Sequence, residues 1–256
     1  MTMNRTLKKF LYGLFYLVCV ALLGLLVSRL MFSAPATCFD NIQNQRETGV
    51  DCGGPCVICE IKNLTPLQTL QPYRILGLSN GRATLLFGVE NQNSTYHAMS
   101  FAYHIDIFDK GGTKIEQYDG TDSLYANERK YLVEPRIGAR AGNIGSVAVT
   151  LRDPEWRSAA EVTAPALSLS GITTEIISPG NIRVNGTASN KGGTSARDVK
   201  IVAVAYDKYG SKMFASQSVL TSLSGFQNAS FTVPFPADGI FENIDAGKTE
   251  VFISGR

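Results

Sequence analysis

Met99–Gly112 reads MSFAYHIDIFDKGG, and its period decides the fold. Met99, Phe101, Tyr103, Ile105 and Ile107 alternate with Ser100, Ala102, His104 and Asp106, the period of two that marks a strand with one buried face. Asp109-Lys110-Gly111-Gly112 then reads as a hairpin turn, with glycine supplying the positive φ of tight β-turns. The pattern returns at an offset of 98 to 99 residues. Ile107-Phe108-Asp109 falls on Ala205-Tyr206-Asp207, Gly112 on Gly210, Asn91 on Asn190, Leu124 on Leu223 and Pro135 on Pro234. Landmarks held in register over such a length predict two copies of one domain.

Working outward, the first copy has strands over Ala83–Val89, Met99–Phe108, Thr113–Tyr118, Tyr131–Glu134 and Gly145–Leu151, with a turn at Asn91-Gln92-Asn93. The second has Ile182–Ala188, Val199–Tyr206, Lys212–Val219, Ala229–Phe235 and Thr249–Ile253, with its turn at Asp207-Lys208-Tyr209-Gly210. Trp156, beside Pro154 and after the last strand of copy one, is expected to cap that core. Short strands with frequent turn signals and no amphipathic helical pattern predict an all-β chain of two tandem antiparallel β-sandwiches. They occupy 73–157 and 167–256, with linkers at 61–72 and 158–166.

Ile105-Asp106-Ile107-Phe108-Asp109 and Ala203-Val204-Ala205-Tyr206-Asp207, each followed by a Gly-containing turn, resemble the FxLYD and LEA14-like domains of bacterial envelope proteins. The carrying positions are Ile105, Ile107, Phe108 and Asp109 in copy one, and Tyr206 and Asp207 in copy two. The resemblance implies Ig-like sandwiches, a non-catalytic role and no defined ligand.

Upstream, Phe10–Phe32 reads FLYGLFYLVCVALLGLLVSRLMF, without a charge from Phe10 to Ser28. A bilayer core of roughly 30 Å takes about 20 helical residues. Arg5, Lys8 and Lys9 precede the run, and basic flanks stay cytoplasmic. The expected topology is a cytoplasmic 1–9, a single transmembrane helix at 10–32 and everything beyond outside the cell. Arg29 near the far end is expected to snorkel to the interface. A cleaved signal peptide is the competing reading, since Ala34-Pro35-Ala36 has the form of a cleavage site before Thr37. The length of the uncharged run and the bulky Arg29-Leu30-Met31-Phe32 favour a retained anchor. After Phe32 the chain holds 20 basic and 22 acidic residues, a net of −2, which leaves no electrostatic footprint for nucleic acid.

Cys19 lies inside the apolar run and reads as a small filler. Cys38, Cys52, Cys56 and Cys59 cluster just beyond it, in a module over 33–60. Four cysteines in an oxidising compartment predict two disulfides, with three connectivities open. CFDNIQNQRETGVDCGGPCVIC (38–59) is too polar to bury a core, so cross-links or a metal must shape it. Asp40, Asn41, Asn44, Glu47 and Asp51 carry oxygens suited to calcium, but the spacing lacks the D-x-D-x-D-G loop of a calcium site, which favours a disulfide knot whose polar residues are simply solvated. Cys52-x3-Cys56-x2-Cys59 offers a zinc alternative that needs reduced thiolates. The segment resembles a bacterial surface-protein motif, C-x-D-G-I-x-N-x-x-E-T-x-V-D-C-G-G-x-C, with Asn41 in place of its first Gly. That resemblance implies export and no particular activity.

His104 lies on the outward face of its strand beside Asp106, and His97 in a turn; a surface pair is the expected role of the first. The sequence carries no nucleophile elbow, phosphate loop or dinucleotide fingerprint, so the protein is expected not to be an enzyme. Asn63, Asn93, Asn185 and Asn228 head N-x-S/T sequons. The expected function is a membrane-anchored scaffold or interaction protein with an envelope protein or cell-wall component as partner. The alternative is a module that binds a cation or a cell-wall glycan.

Overall fold

The computed structural model describes residues 5–32, 37–77, 81–178, 181–235 and 244–256. They form two compact units, Met1–Asn63 and Leu64–Arg256. The first begins with helix α1 (Arg5–Phe32), whose span Lys8–Ser28 is apolar and 21 residues long. At 1.5 Å per residue that span measures about 32 Å, enough to cross a bilayer or to serve as a signal sequence. The side chain of Arg29 and the Ala34-Pro35-Ala36 segment lie outside the described residues. Beyond them comes the cysteine module, ending in the single turn α2 (Cys59–Lys62).

The second unit holds β1 (Gln68–Gly77), β2 (Ala83–Glu90), β3 (Tyr96–Asp109), β4 (Lys114–Leu124), β5 (Arg129–Ile137) and β6 (Ile144–Ser158), followed by β7 (Leu167–Ser178), β8 (Asn181–Asn190), β9 (Ala196–Asp207), β10 (Lys212–Leu223), β11 (Asn228–Pro234) and β12 (Ile244–Ser254). They form four three-stranded antiparallel sheets, ordered β1-β2-β5, β4-β3-β6, β11-β8-β7 and β10-β9-β12. Adding six to each strand number in the first two sheets reproduces the last two. The repeat in the sequence is a repeat of topology.

Each copy is a sandwich with its own core. Leu85, Phe87 and Val89 of β2 meet Phe101, Ile105 and Ile107 of β3 across the first. Ile182 and Val184 of β8 meet Ile201, Ala203 and Ala205 of β9 across the second. Phe101, Ile105 and Ile107 are inward as the period of two requires. Met99 is only half-buried, because the pairing of β3 with β4 slips between Ala98 and Phe101.

The two hairpin turns are the same object. Asp109 Oδ1 accepts the N–H groups of Gly111 (2.8 Å) and Thr113 (2.9 Å). Asp207 Oδ1 accepts those of Tyr209 (2.9 Å) and Ser211 (2.7 Å). Gly112 and Gly210 have φ of 81° and 84°.

Asn91 and Asn190 are a second matched pair, both buried. Asn91 Nδ2 donates to the carbonyls of Tyr96 and Tyr125, and its Oδ1 accepts from the Asn93 N–H. Asn190 Nδ2 donates to Thr194 and Leu223, and its Oδ1 accepts from the Gly192 N–H. Each amide ties two loops of its sandwich together. Asn91→Ala and Asn190→Ala are each expected to cost about 2–3 kcal/mol, since each removes three hydrogen bonds from a buried amide to loop backbone groups. Chemical denaturation of the two variants measures this, and equal losses are the expected result.

Four placements differ from the sequence reading. β1 starts at Gln68, inside the stretch read as a linker, and Pro72 is accommodated because β1 is an edge strand with a register shift between Leu70 and Arg74. β7 was not anticipated, its Leu167–Ser178 sequence being mostly small and polar. Trp156 lies within β6 opposite Ala98 and packs against the core rather than beyond the last strand. His97 lies in β3, buried, with Nδ1 accepting the Ala126 N–H (2.8 Å) and Nε2 facing the Val162 carbonyl at 2.9 Å. The first bond makes Nε2 the protonated nitrogen, so His97 pins the inter-copy linker to the first sandwich.

A third apolar layer joins the sandwiches. Leu76, Leu86 and Val133 on the outer face of the β1-β2-β5 sheet pack with Val202, Val204 and Ala215 on the outer face of the β10-β9-β12 sheet. Tyr131 and Phe252 add a tilted ring pair at 4.7 Å. The four sheets therefore stack into one body with three apolar layers.

Candidate functional site

In the cysteine module the disulfides are Cys38–Cys56 and Cys52–Cys59. With all four sulfurs paired, no thiolate remains for the zinc alternative. A Cβ on Gly53 would strike Thr48 Oγ1, and one on Gly54 would come within 2.7 Å of the Arg46 carbonyl oxygen. The Gly-Gly pair is where the chain crosses itself. Asn41, in place of the motif's Gly, has a φ of 58°, a value asparagine tolerates.

Of the residues considered for calcium, the Asp40, Glu47 and Asp51 carboxylates are taken up largely by backbone N–H groups, whereas Asn41 is exposed and Asn44 Oδ1 is buried without a hydrogen-bond partner. Asp51 Oδ1 accepts the N–H groups of Asp40 and Asn41, both at 3.0 Å. Its Oδ2 accepts from the Asn41 N–H (3.2 Å) and lies 3.5 Å from Lys62 Nζ. Glu47 Oε2 accepts from the Asn44 and Asp51 N–H groups. Glu47 Oε1 lies 3.0 Å from Cys56 Sγ, a contact without a proton because that sulfur is in a disulfide. Asp40 takes the Ile42 N–H on Oδ1 and the Asn44 amide on Oδ2. Those bonds, the Asn44 amide first, hold the Asp40 carboxyl below its ordinary value.

These carboxylates act as staples for N–H groups, and among the described residues Asp40, Glu47 and Asp51 do not gather at one point as a cation cage requires. Millimolar calcium is expected to leave thermal unfolding of the module unmoved; a rise in melting temperature on titration would overturn that.

On the outer face of the first sandwich, His104 Nδ1 faces Asp119 Oδ1 at 2.6 Å and Nε2 faces Asp106 Oδ1 at 3.0 Å, with Lys114 Nζ 2.9 Å from Asp106. Only the imidazolium donates to both carboxylates. The Asp119 hydrogen bond, with Asp106 assisting, raises the His104 pKa above 6.5 against the effect of burial. A raised folded pKa means that the stabilisation is complete below pH 6.5 and is lost as pH rises through the folded value. Wild-type stability is expected to fall over that window and His104→Gln to remove the slope, as denaturation at several pH values will measure. Sequence reading placed His104 and Asp106 together; Asp119 comes from the neighbouring strand.

The seam between the sandwiches is the other concentration of chemistry, and nothing in the sequence singled it out. Asp122 Oδ1 lies 2.6 Å from Lys130 Nζ and Asp122 Oδ2 lies 2.6 Å from Lys200 Nζ. The Asp122 and Lys130 side chains are only 6% and 4% exposed. Burial raises the Asp122 carboxyl pKa, but the two ammoniums more than offset it and hold it below its ordinary value. Burial also pushes the neighbouring Glu128 carboxyl up. Cavities of about 180 to 320 Å³ line this seam. The smallest is walled by Asp122, Lys130, Lys200, Ser254 and Arg256.

The sequons are in part structural. Asn93 is buried and its amide donates to the Thr65 carbonyl at 2.8 Å.

No family model matches the chain, and no curated protein matches it. Among solved structures, similarity is found to Amycolatopsis orientalis exo-chitosanase CsxA (14% identity, 72% of this chain and 25% of that one, TM-score 0.28). It is also found to red sea bream transglutaminase (9% identity, 74% and 29%, TM-score 0.23). A β-glucuronidase from glycoside hydrolase family 2 is similar at the same level (11% identity, 70% and 25%, TM-score 0.25). The chain spans about a quarter of the length of the exo-chitosanase. A likeness this low carries nothing about activity.

Proposed function

We propose that the chain is a membrane-anchored, extracytoplasmic scaffold that presents two Ig-like sandwiches as one stiff body to an envelope protein or wall component. The observation that carries this reading is the third apolar layer. Two domains tied only by a linker would move independently, whereas Leu86 and Val204 bury a shared core between them. A bilayer-length helix and a cross-linked module precede this body, which suits presentation at a fixed place. A non-catalytic role is supported by how the titratable groups are used: His104 is held between two aspartates and Asp122 between two lysines. The FxLYD and LEA14-like resemblance points the same way.

Carbonate-washed membranes and protease added to intact spheroplasts test the topology. The chain should stay in the pellet and the sandwiches should be digested from outside. Sandwiches protected until lysis would sink the proposal. Crosslinking in intact cells should yield a defined heteromeric adduct; recovery of monomer alone would remove the scaffold role.

A further inference from the structure

The cysteine module is built inside out. Glu47 and Asp51 are buried under its disulfides while five large apolar side chains face outward. Phe39 is 90% exposed, Ile42 61% and Ile58 51%, with Val50 and Val57 also exposed. A soluble collar of so few residues gains nothing by showing this much apolar surface to water. The Glu47 and Asp51 carboxylates have already been taken up by the backbone N–H groups described above, so these two charges are removed from the surface.

Chain continuity keeps these side chains near the end of α1. Only Ser33–Ala36 separate α1 from Thr37, and at most 3.6 Å per residue keeps Thr37 within roughly 18 Å of the end of the helix. The headgroup region of a bilayer lies within that reach. Exposed apolar side chains interspersed with the exposed Arg46 and Lys62 suit the boundary between headgroups and acyl chains.

We infer that the disulfide module docks on the outer leaflet through Phe39, Ile42, Val50, Val57 and Ile58, as a rigid foot at the base of the anchor. This rests on the anchored reading proposed above.

The test uses the full chain in phosphatidylcholine/phosphatidylglycerol nanodiscs, with Phe39→Trp and, separately, Ile58→Trp. Wild-type emission from Trp156 is subtracted. Non-reducing intact mass verifies both disulfides, and the same measurement on protein from cells shows whether α1 is retained. Shallow doxyl-labelled lipid is expected to quench at least half of the added emission, with aqueous acrylamide accessibility reduced several-fold relative to free tryptophan. Strong acrylamide quenching without lipid quenching overturns the docking while leaving the anchor intact. Quenching by neither shows that protein covers the residues and overturns it as well. A mass beginning at Thr37 in cells would sink the anchored reading and the docking with it.

Discussion

Asp122→Ala is expected to destabilise the second unit by about 3–5 kcal/mol, the cost of removing one partner from a buried ion cluster. The loss falls mainly on Lys130, which is 4% exposed, whereas Lys200 is about a quarter exposed and can relax outward. Asp122→Asn keeps the shape and the acceptor oxygen, so a smaller loss is expected. Urea denaturation of the three proteins measures the series, and an alanine variant within 1 kcal/mol of wild type would refute the account. The pH dependence has a definite sign. Because the folded carboxyl titrates below its ordinary value of 3.8, its contribution is complete above that pH and is lost as pH falls below it. Asp122→Asn should lack this acid-side component.

Val204→Asp should part the two sandwiches. Val204 is fully buried in the layer between them, and an unpaired carboxylate there costs several kcal/mol. The protein escapes that cost by opening the seam and exposing the aspartate, so the observed loss is capped at the docking energy, on the order of 3 kcal/mol or more. Calorimetry should resolve one cooperative transition in the wild type and two in the variant. Small-angle scattering should show a longer maximum dimension. A variant that keeps a single transition and the same dimension would mean that Val204 does not hold the domains together.

What was legible in the sequence follows from local signals. Met99–Gly112 and its echo at Val199–Gly210 announced strands and turns, because alternation and Asp-x-x-Gly turns are written in neighbouring residues. The pairing of Asn91 with Asn190 was visible as register, although its meaning as a loop tie needed the fold. Gln68–Gly77 was hidden by Pro72, which an edge strand tolerates at a bulge and a central strand does not. The third layer had a signal that period-two reasoning passes over. Ala83–Val89 and Val199–Ala205 are nearly continuous apolar runs, and strands buried on both faces lose their alternation. Lys200 interrupts the second run, and its charge is met by Asp122 from another domain, which no spacing announces. The inward orientation of Glu47 and Asp51 was likewise illegible, because their N–H donors are fixed only once the disulfides set the crossing of the chain.

The docking of one sandwich on the other uses unlike faces: β1-β2-β5 of copy one and β10-β9-β12 of copy two. Each copy therefore retains, on its far side, the counterpart of the face its neighbour uses. At those counterparts the repeat register places His104 and Asp106 where copy two has Val202 and Val204, and Asn185 where copy one has Leu86. A head-to-tail contact between like units has no intrinsic stopping point and propagates into a filament when its end faces match. Here charged and amide side chains occupy the two counterpart faces, which disfavours the same docking there. The His104 cluster thus gives the far face of copy one charge at the positions where copy two carries the apolar side chains that dock.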